Sequence, residues 1–170
     1  MRVTELGEFV GLRKPYTGDP YYGERGTAIH AATAIVDSGQ ELDPATVDPA
    51  IAPYLPGWEK CKRENGIEIL SIEERVEYLP YGLHGTLDRR VVMKGHRIAD
   101  IKSGQPDPWY RWQIALYRLL WSLQHKEPAP LGVAIYLDGK GGYKLEWFND
   151  RKDTDRAKSI VEFASILRGE

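Results

Sequence analysis

The 170-residue sequence contains 42% hydrophobic and 28% charged residues and carries a formal net charge of −2, so we predict one globular domain spanning residues 1–170. No apolar run approaches the roughly 20 residues of a membrane span, and the N-terminal residues do not resemble a signal peptide. The single cysteine, Cys61, excludes an internal disulfide framework, a four-cysteine zinc site and a cysteine-ligated iron–sulfur cluster, which favours a cytoplasmic setting.

The first half of the chain predicts helices separated by turns. Proline and glycine are frequent up to Gly23, which predicts a loop, and the alanine-rich residues 26–38 predict a helix. Residues 43–57 contain four prolines, including Pro44 after Asp43, and predict turns or helix starts. Residues 58–65 predict a short helix that ends at Gly66.

The second half predicts most of a sheet. Residues 67–78 alternate between apolar and polar, and residues 83–93 and 96–103 continue an antiparallel meander. Residues 107–124 form the clearest helical pattern, residues 131–137 and 143–148 predict two more strands, and residues 154–168 predict an amphipathic helix with Phe163 and Leu167 on its apolar face. This order predicts an α/β or α+β fold with a mixed central sheet of about five strands flanked by helices.

Two aspartates and a lysine occupy neighbouring predicted strands. Asp100 and Lys102 are two residues apart, so they project from the same face, and Asp88 can lie beside Asp100 if the strands pair. Clustered carboxylates raise one another's pKa unless a cation lies between them, and a divalent ion with oxygen ligands resolves the conflict. Basic residues also concentrate between Arg89 and Lys102, as phosphate contact requires, although charge alone favours an ordinary solvated strand.

Several other side chains have two interpretations. Gln113 and Tyr117 share one helix face, from which both could contact a substrate beside the metal site. In the alternative interpretation, Gln113 is solvated and Tyr117 is a core residue. His30 lies in a helix of otherwise small and apolar residues, where a histidine is more often a structural residue than a metal ligand. Trp109 and Trp112 flank the presumed site and are the tryptophans worth testing as base-stacking platforms.

Four short motifs occur in order along the chain. They are Gly26-Thr27-Ala28-Ile29-His30, Gly85-Thr86-Leu87-Asp88, Asp100-Ile101-Lys102 and Gln113-Ile114-Ala115-Leu116-Tyr117. With these motifs the sequence resembles, over residues 25–117, the RecB-type branch of the PD-(D/E)XK nucleases, which includes phage exonucleases of the lambda and RecE kind. Each motif is weak alone, and their order on the expected elements makes the signal strong.

The resemblance implies a restriction-endonuclease-like core and a role for each motif residue. It implies one or two Mg²⁺ or Mn²⁺ ions held by His30, Asp88, Asp100 and the main-chain carbonyl of Ile101. It implies catalysis by Asp88, Asp100 and Lys102, and substrate-binding roles for Gln113, Tyr117, Arg25 and Ser103. The family often adds a glutamate on the first strand, and the sequence leaves Glu74 and Glu77 as alternatives.

The activity implied is hydrolysis of DNA by an exonuclease in phage or prophage recombination, or in DNA repair. A structure-specific endonuclease and a non-catalytic nucleic-acid-binding domain are the alternatives. The resemblance also makes a homo-oligomer and a single-strand annealing or recombination partner protein credible. We expect no membrane partner and no iron–sulfur cluster.

Overall fold

The computed structural model describes residues 1–43 and 45–169, so the predicted turn at Pro44 lies outside the described residues. A five-stranded sheet with the order β1-β2-β3-β4-β5 forms the centre. The strands are β1 (Glu68–Tyr78), β2 (Leu83–Val92), β3 (His96–Lys102), β4 (Leu131–Leu137) and β5 (Tyr143–Phe148). The helices are α1 (Val3–Phe9), α2 (Pro20–Asp37), α3 (Leu55–Asn65), α4 (Trp109–His125) and α5 (Lys152–Arg168). The predicted α/β fold with a mixed sheet is confirmed.

The sheet is mixed because one connection contains a helix. β1, β2 and β3 are antiparallel neighbours, and a tight turn with positive φ at Lys94 and Gly95 joins β2 to β3. α4 carries the chain from β3 to β4, which therefore pair in parallel, and β5 returns antiparallel to β4. The predicted meander and the bounds of the last two strands agree with this arrangement.

The first two helices differ from the sequence prediction. α1 lies in the stretch predicted as loop, where burial of Val3 and Leu6 in the core stabilises a helix of only seven residues. α2 begins at Pro20 rather than Gly26, because the Asp19 side chain accepts a hydrogen bond from the Tyr21 amide and Pro20 suits the first turn. Gly23 is therefore inside the helix.

Helices cover both faces of the sheet. α1, α4 and α5 pack on one face, where the core includes Leu87 and Leu116, and α2 and α3 pack on the other, where it includes Trp58 and Ile101. The predicted apolar face of α5 is wrong in part, because Phe163 and Leu167 are each 52% exposed. Its buried side is the narrower stripe of Ala157, Val161 and Ala164.

The helices differ in length and in hydropathy. Within residues 1–43 and 45–169, none of the helices is both long enough and apolar enough to cross a bilayer. Each of the long helices instead has charged or polar residues along its exposed side.

Cys61 should be unreactive in the folded protein. Its side chain lies on the buried side of α3. Burial, and to a lesser extent repulsion from Glu64, raises the pKa of its thiol to about 12. The thiolate fraction at pH 8 is then lower than that of a free cysteine by roughly three orders of magnitude. We expect negligible labelling by iodoacetamide at pH 8 and full labelling in guanidinium, measured by mass spectrometry. Rapid labelling of the native protein would show that α3 opens locally.

Candidate active site

The strands β2 and β3 separate beside Asp88. Their last paired residues are Arg89 and Ala99, and the same register continued by one residue would place Asp88 opposite Asp100. The Asp88 carboxylate instead enters the gap, where its Oδ2 accepts a hydrogen bond from the Ile101 amide at 2.8 Å. The structure thus brings Asp88 and Asp100 to one point of the sheet, within hydrogen-bonding reach of each other.

Two further potential ligands meet Asp88 from neighbouring elements. His30 of α2 places its Nδ1 3.1 Å from Asp88 Oδ2. Glu73 of β1 lies opposite Asp88, since the residues on either side of it pair with Arg89 and Leu87. One ligand atom from each of His30, Glu73 and Asp88 lies within 4.8 Å of the others. Together they form a donor group of one imidazole and two carboxylates.

The glutamate at this point is therefore Glu73, and neither sequence alternative reaches it. Glu74 faces α4, where its carboxylate accepts hydrogen bonds from Trp121 and Arg90. Glu77 is exposed and pairs with Arg75. A register shift between Ile69 and Ser71 breaks the alternation of β1, so a strict two-residue period does not identify the acid that lies beside Asp88. Glu73 itself has a φ of 49°, which is unusual outside glycine.

Lys102 is held by three groups. Its Nζ lies 2.6 Å from Asp100 Oδ2, donates to Gln113 Oε1 at 3.2 Å, and sits 4.2 Å from the centroid of the Tyr110 ring. Gln113 is buried and its amide donates to the Tyr117 hydroxyl at 3.4 Å, so the alternative of a solvated Gln113 is wrong. The chain of contacts fixes the ammonium group next to the carboxylates.

The buried charges set each other's protonation. Burial opposes ionisation of Asp88, yet attraction and a hydrogen bond from His30, with Lys102 nearby, lower its pKa to about 2. Burial and repulsion by Asp88 raise the pKa of Asp100 to about 7 in spite of Lys102. The carboxylates outweigh burial at His30 and Lys102 and raise the pKa of both. One pair of carboxylates thus favours the charged forms of both nearby bases.

A second buried ion pair supports the site from behind. Arg89 donates to Asp37 at 2.7 Å and to the Asp88 carbonyl at 2.7 Å, and its Nη1 lies 3.5 Å from Glu73 Oε1. Asp37 also accepts a hydrogen bond from Lys62 at 2.7 Å, and both Asp37 and Arg89 have fully buried side chains. This network ties α2, α3, β1 and β2 together directly beneath the donor group.

A cavity of about 710 Å³ opens beside this group. His30, Ile101 and Lys102 form its inner wall. Arg25 and Ser103 also line it, and Arg25 donates to the Ser103 carbonyl at 3.3 Å. The glycine of the first motif, Gly26, leaves this wall bare, because a side chain there would meet nothing closer than Ser103 Oγ at 3.8 Å.

The two candidate stacking tryptophans do not face this cavity. Trp109 is 2% exposed and packs in the core on the α4 side, so a base-stacking role for it is wrong. Trp112 is partly buried against the same core, with the Arg111 guanidinium 5.5 Å from its ring. The aromatic residues that line the cavity are tyrosines instead.

A family model, the PD-(D/E)XK nuclease superfamily, matches residues 44–165. The chain belongs to the PD-(D/E)XK nuclease superfamily. No curated protein matches the sequence.

Solved structures extend the comparison to the fold. The nuclease is similar to an alkaline exonuclease from Laribacter hongkongensis, with a TM-score of 0.51 and 10% identity, over 98% of this chain and 86% of that one. The complex of that exonuclease with dAMP matches with a TM-score of 0.45 and 12% identity, over the same shares of the two chains. At such low identity the first likeness concerns the fold alone.

Gly85 of this nuclease should not accept alanine. An added Cβ would lie 2.5 Å from Cε1 of the Tyr117 ring, so the ring that contacts Gln113 must move. We expect Gly85→Ala to lower the free energy of unfolding by about 1–3 kcal/mol, the cost of overpacking. Thermal unfolding measures the effect. Gly23→Ala is the control, because its Cβ meets nothing within 4 Å and helix propensity favours alanine. Equal stability of the two variants would contradict the predicted clash.

Proposed function

We propose that this nuclease is a metal-dependent deoxyribonuclease that removes nucleotides from DNA ends. The observation that carries the proposal is the meeting of His30, Glu73 and Asp88 with the Asp100–Lys102 pair beside an open cavity, whose wall includes His30 and Lys102. Acidic ligands beside a fixed ammonium group serve hydrolysis of an anionic ester better than they serve folding, since buried like charges destabilise an ion-free protein.

The residues fit a hard divalent cation. The donor group offers carboxylate oxygens and one imidazole nitrogen, which suit Mg²⁺ or Mn²⁺. Asp100 adds a buried carboxylate whose Oδ2 lies 2.6 Å from the Lys102 ammonium. We therefore propose that His30, Glu73, Asp88 and Asp100 hold one or two ions, with the main-chain carbonyl of Ile101 as the further ligand implied by the family. A bound ion would offset phosphate charge and acidify a water molecule.

The protein's own residues then bind and orient the substrate. Lys102 is fixed by Asp100 and Gln113, and its raised pKa keeps it protonated, so we propose that it orients the attacking water and offsets charge on the phosphate. Arg25 directs its guanidinium toward the cavity wall at Ser103, where both can contact a phosphate. We propose that Gln113, which donates to the Tyr117 hydroxyl, keeps Lys102 in place for the substrate.

Cleavage assays with linear and circular DNA test the proposal. We expect 5′- or 3′-labelled linear DNA to be shortened progressively from an end with Mg²⁺ or Mn²⁺, and to be stable in EDTA. A closed circle should resist cleavage, whereas nicking of the circle would identify an endonuclease. Metal binding without cleavage of any DNA would indicate a non-catalytic nucleic-acid-binding domain. Roles in phage recombination or repair, a cytoplasmic location, a homo-oligomer and an annealing partner stay predictions.

Metal binding should depend on Glu73 but not on Glu77, which lies on the same strand. Glu73→Gln removes one charged donor of the group around Asp88, and we expect it to weaken Mn²⁺ binding about 10–100-fold in titration calorimetry. Glu77→Gln is the matched control, because that side chain lies at the surface in an ion pair with Arg75. The proposed ligand set is wrong if both variants bind Mn²⁺ as the unmodified protein does.

A further inference from the structure

We propose that the cavity beside the metal ligands receives unpaired bases, which stack on Tyr16 and Tyr22, so that the substrate is a single-stranded DNA end. This inference rests on the proposed nuclease function and adds the form of DNA that the site accepts. Both tyrosines line the cavity whose inner wall is formed by His30, Ile101 and Lys102. Both rings are exposed, whereas Trp109, which the sequence analysis considered as a stacking platform, is buried.

Tyr16 is an exposed ring that is nevertheless fixed. Its side chain is 56% exposed, yet its hydroxyl donates to the Asp19 carbonyl at 2.7 Å. Its ring also packs over Gly18, where an added Cβ would lie 2.7 Å from the hydroxyl. A large apolar surface that is held in one orientation toward solvent loses little conformational entropy on binding, as in the tyrosine-rich contact surfaces of antibodies.

Tyr22 forms the neighbouring part of the wall. It is 55% exposed, and the Arg25 guanidinium carbon lies 5.1 Å from its ring centroid. Arg25 is also 5.5 Å from the centroid of the Tyr54 ring and donates to the Ser103 carbonyl. The Arg25 guanidinium therefore contacts the Tyr22 ring, and more than half of Tyr22 is still accessible to a ligand. A base stacked on Tyr22 would bring its own phosphate close to Arg25.

The charge and size of the cavity fit a nucleotide. Arg13, Arg25 and Lys102 are among its lining residues, and among the described residues no aspartate or glutamate is. Its volume of about 710 Å³ lies within the range of pockets that enclose small organic ligands. Aromatic stacking requires a free base face, which a paired and stacked base in duplex DNA does not offer. The tyrosines therefore favour an unpaired end over an intact duplex.

Binding of single-stranded oligonucleotides in EDTA tests this inference without requiring cleavage. We expect Tyr16→Ala and Tyr22→Ala each to weaken binding about tenfold and to reduce quenching of a 2-aminopurine placed near the end. Tyr22→Phe, which keeps the ring, should restore both. Phe163→Ala is the matched control, because Phe163 is an aromatic residue of α5 that is 52% exposed and does not line the cavity. Its affinity should stay within about twofold of the unmodified protein.

Oligonucleotides with an abasic site near the end separate this inference from the proposed function. The unmodified protein should bind them about tenfold more weakly than intact DNA, and Tyr22→Ala should bind both equally. Base-dependent binding without cleavage in Mg²⁺ would overturn the proposed function alone. Cleavage with equal affinity for abasic and intact ends would overturn the stacking inference alone. A change of sedimenting mass in Tyr16→Ala or Tyr22→Ala, with base dependence intact, would also overturn it, since the rings would then join copies of the chain.

Discussion

Lys102→Ala should reduce the rate of DNA cleavage at saturating Mg²⁺ by about a thousandfold. The variant removes the ammonium group that Asp100 and Gln113 hold beside the metal ligands, and loss of one preorganised charge at a phosphate costs about this much. Single-turnover cleavage of end-labelled DNA measures the chemical step directly. Asp100→Asn should produce a loss of similar size, because it removes both a proposed ligand and the partner of Lys102.

Lys158→Ala is the control for this loss. Lys158 is an exposed lysine of α5 that pairs with Glu162 at 3.7 Å on the same helix. It should cleave at the rate of the unmodified protein, and circular dichroism should show that all three variants are folded. Undiminished cleavage by both Lys102→Ala and Asp100→Asn would place the active site elsewhere.

Arg89→Met should lower the free energy of unfolding by about 3 kcal/mol. The side chain is fully buried, and removing its charge leaves Asp37 with Lys62 as its remaining cation and the Asp88 carbonyl without its 2.7 Å donor. Breaking a buried pair from one side costs about 3–5 kcal/mol, and Lys62 places this case at the lower end. Urea denaturation followed by tryptophan fluorescence gives the difference.

Arg75→Met provides the comparison on the same sheet. Arg75 pairs with Glu77 at 3.0 Å, but its side chain is 67% exposed, so the change should stay within about 0.5 kcal/mol. Similar midpoints for the two variants would mean that water reaches Arg89 and that the network beneath the site is not dry. A weaker affinity of Arg89→Met for Mn²⁺ would further link this ion pair to the position of Glu73.

The fold could be predicted wherever local pattern and final environment agree. β4 is buried throughout and β5 alternates, and both have the predicted bounds. Asp88, Asp100 and Lys102 could be placed together because a short turn fixes the register of β2 against β3. The period of two in a strand, together with a two-residue turn, is enough to position three charges before any coordinates are known.

The remainder depends on interactions that the local sequence does not contain. Glu73 reaches the site because it lies opposite Asp88 in the pairing of β1 with β2 and has a φ of 49°, and neither feature leaves a clear pattern in a single sequence. α1 is helical because the core on the α4 side buries two of its residues. Tyr16 and Tyr22 lie in segments predicted as loop, and only the folded chain brings them to the wall that contains Lys102.

The gap between β2 and β3 makes Asp88 part of the backbone architecture as well as of the chemistry. Its carboxylate is the acceptor for the Ile101 amide, where an ordinary strand pair would have used a carbonyl. Alanine at position 88 would leave the Ile101 amide without an acceptor, whereas asparagine keeps a side-chain oxygen that can accept its hydrogen bond. A catalytically dead form intended for capturing bound DNA in crystals should therefore carry Asp88→Asn, since an alanine variant would confuse lost folding with lost chemistry.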